Sequence, residues 1–418
     1  MPEKLAIDGG VPVRTEPFPA RPKFTFQDAV ELLEVLNQGT AFFPIGSKVY
    51  EFQRRFSQMY GVRYAVASTS GTAAIHVAIG AINPDPGSEI ITTPVSDMGT
   101  VAPILLNNCI PVFADVELDT FNLDPADVEA KITDRTAAII VVHCWGQPAD
   151  MDAFVDIAQR HGLALIEDCS QAHLTRYKGR LVGTIGELGA FSLQDSKHLQ
   201  CGDGGVTITD RAEYGERMEL FVDKGCDWTE DRKYRLRYAF LAPCYRMTEL
   251  QGAVLCAQLD TLANRVARRQ RLGDMLTVMI SGLDGVYPPK RYDDREHSYW
   301  SYPLRIDSQV LGVTPVRFAE MLQAEGIPAG GNWIGKPLYL FESLQEQITY
   351  GSSHCPFTCP WRGERVVAYA EGMCPNAERA FRELVTVHFH EGWTEREVED
   401  TAEAIRKVAE ACLRGDAK

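Results

Sequence analysis

The apolar positions in the first half of the chain fall into short blocks separated by longer stretches of helical spacing. Tyr64-Ala-Val-Ala67, Glu89-Ile-Ile-Thr92, Pro111-Val-Phe-Ala114, Ala137 to His143, Leu163-Ala-Leu-Ile166, Leu188 to Leu193 and Val206-Thr-Ile208 read as strands. Several are apolar at consecutive positions, as strands covered by helices on both faces should be. Thr72 to Ala81, Gly99 to Leu106, Pro125 to Ile132 and Met151 to His161 carry the helical spacing between them. Asp124-Pro125 supplies an N-cap followed by proline at the first helical position. This order predicts an α/β fold around a mostly parallel, seven-stranded sheet. No helix separates the last two strands, which makes one of them a candidate for an antiparallel run.

A long helix from Thr248 to about Leu272 links this half to a smaller region. There Tyr302-Pro-Leu-Arg-Ile306 reads as a strand, and Thr314 to Gly326 and Glu395 to Leu413 as helices. The expected organisation is an N-terminal arm (1–24), a large domain (25–262) and a small C-terminal α+β domain (263–418).

Composition narrows the function classes. The 418 residues are 45% hydrophobic and 24% charged, ordinary values for a globular protein. The net charge is −15 and no basic block stands out, which argues against nucleic-acid partners. The opening has no apolar signal region and no apolar run is long enough to cross a bilayer. No membrane partner and a cytoplasmic location are therefore expected. Eleven cysteines without framework spacing predict reduced thiols. His354-Cys355 with Cys359 offers too few ligands for structural zinc, and no metal is expected. His388 and His390 would share a face if their segment were a strand.

The candidate chemistry lies at strand ends. Ser68-Thr-Ser-Gly-Thr72 opens a helix after a strand, where free N–H groups and the helix dipole favour an anion. Asp168 ends a buried strand, the position of ligand groups in open α/β sheets. Gln171 follows three residues later. Lys197 sits in a loop bounded by Gly202-Asp-Gly-Gly205, with Ser192 five residues before it. A lysine amine there can form a Schiff base with an aldehyde cofactor, and the carboxylate can keep a pyridine nitrogen protonated. No dinucleotide fingerprint, Walker loop or nucleophile elbow is present.

With these blocks in place, the chain resembles the DegT/DnrJ/EryC1/StrS family of sugar and cyclitol aminotransferases. Ser70-Gly-Thr-Ala-Ala74, Ile166-Glu-Asp-Cys-Ser-Gln-Ala-His173, Phe191-Ser-Leu-Gln-Asp-Ser-Lys197, Gly202-Asp-Gly-Gly205 and Tyr245-Arg-Met-Thr-Glu-Leu-Gln251 carry the likeness in order. The resemblance implies the type I (aspartate aminotransferase-like) fold of transferases dependent on pyridoxal 5′-phosphate. It implies cycling through pyridoxamine 5′-phosphate, and a homodimer with active sites at its interface. An amino donor, glutamate or glutamine, and a keto-sugar or ketocyclitol acceptor follow from it, in aminosugar or antibiotic biosynthesis.

Transferred onto this chain, Lys197 is the Schiff-base lysine and Asp168 the pyridine partner. Ser70, Gly71, Thr72 and Ser192 cradle phosphate, and Gln171 and Gln194 contact the cofactor. Three positions depart from the family pattern. Asp97 or Met98 stands where an aromatic residue covers the ring. Cys244 replaces an asparagine that reaches the partner subunit's phosphate. Asp203 replaces a glutamate. Acceptor contacts are sought among Asn332, Trp333, Tyr339, His388 and His390. Two alternatives stay open: elimination or another bond cleavage on an amino sugar, and a regulatory protein that binds without turnover.

Overall fold

The computed structural model describes residues 4–227, 238–362 and 367–416. Two helices that the strand pattern does not announce, α1 (Phe26–Gln38) and α2 (Lys48–Tyr60), come first. Then follow β1 (Tyr64–Ser68), α3 (Gly71–Ile82), β2 (Glu89–Thr92), α4 (Met98–Leu106), β3 (Ile110–Phe113), α5 (Pro125–Ala130), β4 (Thr136–Val142), α6 (Met151–His161) and β5 (Ala164–Asp168). The short β6 (Arg176–Tyr177) and β7 (Arg180–Leu181) precede β8 (Leu188–Ser192), β9 (Gly205–Thr209) and α7 (Ala212–Phe221). The main sheet has seven strands in the order β1-β9-β8-β5-β4-β2-β3. β9 runs antiparallel to both β1 and β8, and every other pairing is parallel. The expected antiparallel strand is therefore β9. The carboxyl ends of the other six strands share one edge, where ligands gather in such sheets.

Consecutive apolar residues serve opposite faces of this sheet. Ala65, Ile139, Val141, Leu165 and Phe191 pack with Phe52, Phe56 and Phe154 of α2 and α6. Their neighbours Val66, Ile140, Ile166 and Ala190 pack with Ile75, Ile79 and Met218 of α3 and α7. Alternate side chains of a strand point to opposite sides, so both must be apolar when both faces are covered.

α8 (Glu249–Ile280) is longer than its pattern suggests and passes the expected end at Leu272. Leu255, Leu259, Leu262 and Val266 belong to the large core. Leu272, Leu276 and Ile280 belong to a second core. The boundary drawn at residue 262 thus lies inside a continuous helix. Glu249 at its start accepts N–H bonds from Ser47, Lys48 and Val49 at 2.7, 2.7 and 3.0 Å, tying it to α2.

The rest comprises β10 (Val286–Tyr287), β11 (Arg295–Glu296), β12 (Tyr302–Ile306), α9 (Ser308–Leu311), α10 (Pro315–Ala324), β13 (Ala329–Gly330), α11 (Glu342–Gln345), α12 (Pro375–Glu383), β14 (Leu384–Val387) and α13 (Glu395–Leu413). A second sheet runs β10-β12-β14-β13, and β11 reaches back to β6. Two expectations are corrected here. β14 stops at Val387, so His388 and His390 lie beyond it and share no strand face. Cys355 and Cys359 are joined as a disulfide, whereas reduced thiols were expected throughout; their sulfurs are bonded to each other. Among the described residues, no helix is long and apolar enough to cross a membrane.

Candidate active site

The site is assembled where β1, β5 and β8 end. β1 stops at Ser68 and α3 starts at Gly71. Ser70 caps the helix, its Oγ accepting the Ala73 N–H at 3.0 Å. The N–H groups of Gly71 and Thr72 belong to the first turn and have no intrahelical acceptor, so they face the helix mouth with the positive end of the dipole. A Cβ at Gly71 would lie 2.6 Å from the Ser192 Cβ, and one at Gly99 would lie 2.6 Å from the Thr72 Oγ1. Glycine at these positions is what lets the start of α3, the end of β8 and the start of α4 close to a hydroxyl-rich cup.

Asp168 is the last residue of β5 and is buried. Its Oδ2 accepts from the Thr100 hydroxyl at 2.8 Å, and that hydroxyl lies 2.8 Å from the Ser96 Oγ. Its Oδ1 accepts the Ser170 N–H at 3.0 Å. A buried carboxylate is costly unless hydrogen-bonded, and these donors satisfy and aim it. Its neighbour Glu167 serves the other side of the strand. It accepts N–H bonds from Gly183, Ile185 and Gly186 at 2.8, 2.7 and 2.6 Å, and sits 3.0 Å from the His143 Nε2. The Gln171 Oε1 accepts the Trp145 N–H at 2.6 Å, which leaves its amide NH2 for a ligand.

Lys197 rides on the connection between β8 and β9. That antiparallel pair continues past its ladder through Leu193 N–H to Gly204 O and Asp195 N–H to Gly202 O, both 2.8 Å. Gln194 Oε1 accepts from the Ser196 N–H and hydroxyl at 2.8 and 2.7 Å and stiffens the turn. His198 is buried with its Nε2 3.0 Å from the Ser298 carbonyl, and burial holds its pKa far below the ordinary value. From the N-terminal arm, Arg21 donates to the carbonyls of Asp195 and Lys197, and Lys23 pairs with Asp195.

The Lys197 amine lies 3.8 Å from the centre of the Trp300 ring, a contact worth roughly 0.5–2 kcal/mol to the charged form. Burial nonetheless lowers its pKa to about 8, against the pull of Asp168 and Asp97 towards the charged form. Desolvation of an ammonium outweighs two nearby carboxylates here. At pH 8 about half of the amine is then neutral, against about 0.4% for an ordinary lysine.

Ser70, Gly71, Thr72, Asp97, Asp168, Gln171, Ser192, Gln194 and Lys197 all line one cavity of about 440 Å³. Two expected contacts do not. Met98 turns into the apolar cluster of Val95, Val101 and Tyr339. Cys244 is exposed and bridges to Asp223. Asp97, whose Oδ1 caps α4 through the Gly99 N–H at 2.8 Å, takes the cavity side. Of the acceptor candidates, Trp333 lines this cavity, and His388 and His390 line a neighbouring one of about 390 Å³. Tyr339 is buried against Glu378 at 2.6 Å, and Asn332 lines neither cavity. Sequence reasoning missed Thr100 and Trp300. Thr100 was findable, one helical turn past the Asp97 cap; Trp300 had no local signal.

The model of the DegT/DnrJ/EryC1/StrS aminotransferase family matches residues 25–367. A protein of Micromonospora echinospora, provisionally named an L-glutamine:3-amino-2,3-dideoxy-scyllo-inosose aminotransferase, is 36% identical over 98% of this chain and 97% of its own. The L-glutamine:2-deoxy-scyllo-inosose aminotransferase of Streptoalloteichus tenebrarius is 34% identical over 98% of each. Among solved structures, a 3-amino-5-hydroxybenzoic acid synthase superposes with a TM-score of 0.82 at 27% identity, covering 94% of this chain and 99% of its own.

Reductive methylation with formaldehyde and cyanoborohydride, followed residue by residue by mass spectrometry, reads the neutral amine directly. Lys197 should be labelled with a midpoint near pH 8, below it protonated and inert. A midpoint near the ordinary lysine value of about 10.4 would contradict the desolvated amine.

Proposed function

The chain belongs to the DegT/DnrJ/EryC1/StrS aminotransferase family and is an aminotransferase, and from that premise we propose that it holds pyridoxal 5′-phosphate on Lys197 and Asp168 and aminates a ketocyclitol or keto-sugar at the expense of glutamine. The observation that carries the reading is the meeting of a desolvated amine, a hydrogen-bonded carboxylate and a helix N-terminus in one cavity. The donor set fits the group. The N–H groups and hydroxyls around Gly71, Thr72 and Ser192 suit a phosphate. Asp168 suits a pyridinium nitrogen, and the free NH2 of Gln171 suits a phenolic oxygen.

When bound, the cofactor supplies an aldehyde that accepts nitrogen and a protonated ring that withdraws electrons. Asp168, fixed by Thr100 and Ser170, keeps the proton on the ring nitrogen. Lys197, with a desolvated amine, would hold the group through Nζ. The same Nζ would serve as the base that takes the proton from the donor's α-carbon. Glutamine leaves as its 2-oxo acid amide, and the acceptor's carbonyl becomes a carbon bearing an amine. The relatives are named for glutamine, and a carboxylate-lined cavity favours the neutral amide of glutamine over the second carboxylate of glutamate. They are also named for acceptors with and without an amine, at nearly equal identity.

The same reading makes the assembly a homodimer with its cavities at the interface. Phe26, Leu33, Leu36, Ile45 and Leu241 are exposed on the large domain, and exposed Cys244 follows Leu241. Exposed apolar side chains of this kind are ones a partner subunit would cover. Sedimentation should give the mass of two chains, and a monomer at micromolar concentration would count against the interface.

The transfer itself is tested by adding L-glutamine to the enzyme loaded with pyridoxal phosphate. The near-visible absorbance should fall, and a ketocyclitol should restore it. Absorbance that stays constant with both glutamine and glutamate would reject the aminotransferase cycle and favour a binding protein.

A further inference from the structure

We propose that Trp300 is a positioning residue for Lys197: its indole N–H holds the lysine turn, and its ring face is where the free amine rests. This rests on the aminotransferase reading for what the amine does, and adds to it the side chain that keeps the amine in place.

Three observations converge. The first is the surroundings of the amine. Among the described residues, Lys197 Nζ makes no hydrogen bond and no ion pair; Asp168 and Asp97 attract it from across the cavity without pairing with it. What it does touch is the Trp300 ring, with Nζ 3.8 Å from the ring centre. An indole face attracts an ammonium but cannot take its proton. A carboxylate in the same place would favour the charged form far more strongly. The ring therefore fixes where Nζ points and leaves it free to serve as nucleophile or base.

The second is the backbone of the turn. The carbonyls of Asp195, Ser196 and Lys197 follow one another, and each is taken by a side chain from a distant part of the chain. Arg21 donates to the first and the third. The Trp300 indole N–H donates to the second at 3.1 Å. One residue thus grips both ends of the lysine, the peptide before it and the amine at its tip.

The third is the fixity of the ring. Trp300 is half-buried on the cavity wall. Its backbone N–H donates to the Trp145 carbonyl at 2.8 Å, and its own carbonyl accepts from Arg269 at 2.9 Å. Trp333 stands edge to face beside it, with centroids 6.5 Å apart at 70°. Arg269 and Arg21 share Glu391, at 2.6 and 3.0 Å. The contacts close on themselves, from the turn through Arg21, Glu391, Arg269 and Trp300 back to the turn. Such a closed set holds the ring and the turn in register with each other.

The test changes the electrons of the ring and leaves its shape. Trp300 is replaced in the full chain by monofluoro-, difluoro- and tetrafluorotryptophan through codon suppression. Fluorine draws charge from the ring face, so its attraction for a cation falls in steps. Reductive methylation of the cofactor-free protein reads Lys197 at each step. The ring favours the charged amine, so weakening it must lower the pH at which the amine turns neutral. The labelling midpoint should fall stepwise, by about half a pH unit or more with the tetrafluoro ring. The other ionisable groups around the amine are Asp97, Asp168 and Asp203, with His173 and His198 kept neutral by burial, and they are the same throughout the series. A midpoint that stays level or rises would overturn the proposal. Trp300→Phe keeps a ring and loses the N–H. Deuterium exchange at the Lys197 amide, which donates to the Gln194 carbonyl at 2.8 Å, should quicken about fivefold, the worth of one hydrogen bond. Unchanged exchange there would equally overturn it. Neither readout uses the cofactor, so failure of the glutamine reaction would reject the aminotransferase cycle and leave both standing.

Discussion

The site depends on taking one ammonium out of water beside one carboxylate. On the proposed reading, Lys197 must be neutral often enough to attack a carbonyl, and Asp168 must be held in place to face a ring nitrogen. In water the two would simply form an ion pair with a fully charged lysine. Here burial wins over the attraction, and the amine falls to a pKa of about 8. Asp168 is held by the hydrogen bonds that Thr100 and Ser170 donate to it. A desolvated amine and a hydrogen-bonded carboxylate thus meet in one cavity.

Holding that arrangement is the task of structure well outside the cavity. β9 reverses direction, so the β8–β9 connection is a hairpin whose tip stays near the sheet edge. Arg21 from the arm ties down the carbonyls on either side of the lysine turn, and it is itself fixed by Glu391. Burial alone would raise the Glu391 carboxyl, but Arg269 and Arg21 bring it down to about 2. Arg269 in turn donates to the carbonyls of Tyr299 and Trp300 at 2.8 and 2.9 Å. A buried network of this kind links arm, lysine loop and small domain, and its members are satisfied together or not at all. Trp300, which lines the cavity, is part of the same network.

Much of this was legible in the sequence, because local rules act locally. Strands covered on both faces announce themselves by consecutive apolar residues, and β2, α6, β12 and α13 lie within a residue of the pattern. That Gly71, Thr72, Ser192, Asp168, Gln171 and Lys197 lie at or just past strand ends was legible. Their convergence follows from the parallel sheet that puts strand ends together. The misses have physical reasons too. α8 carries the apolar stripe of one core and then of another, so its single-stripe pattern breaks at Leu272 while the helix continues. Met98 and Asp97 are adjacent, and only the register of α4 decides which one packs inward. Trp300 enters the site from more than a hundred residues away, and no local spacing encodes that. The pairing of Cys355 with Cys359 depends on a turn geometry the spacing alone does not fix.

The most direct measurement asks which side chain carries the cofactor. Enzyme loaded with pyridoxal phosphate is reduced with borohydride, digested and mapped by mass spectrometry. The account predicts a phosphopyridoxyl group on Lys197 alone, at close to one per chain. A label spread over surface lysines, or an unmodified Lys197, would contradict it.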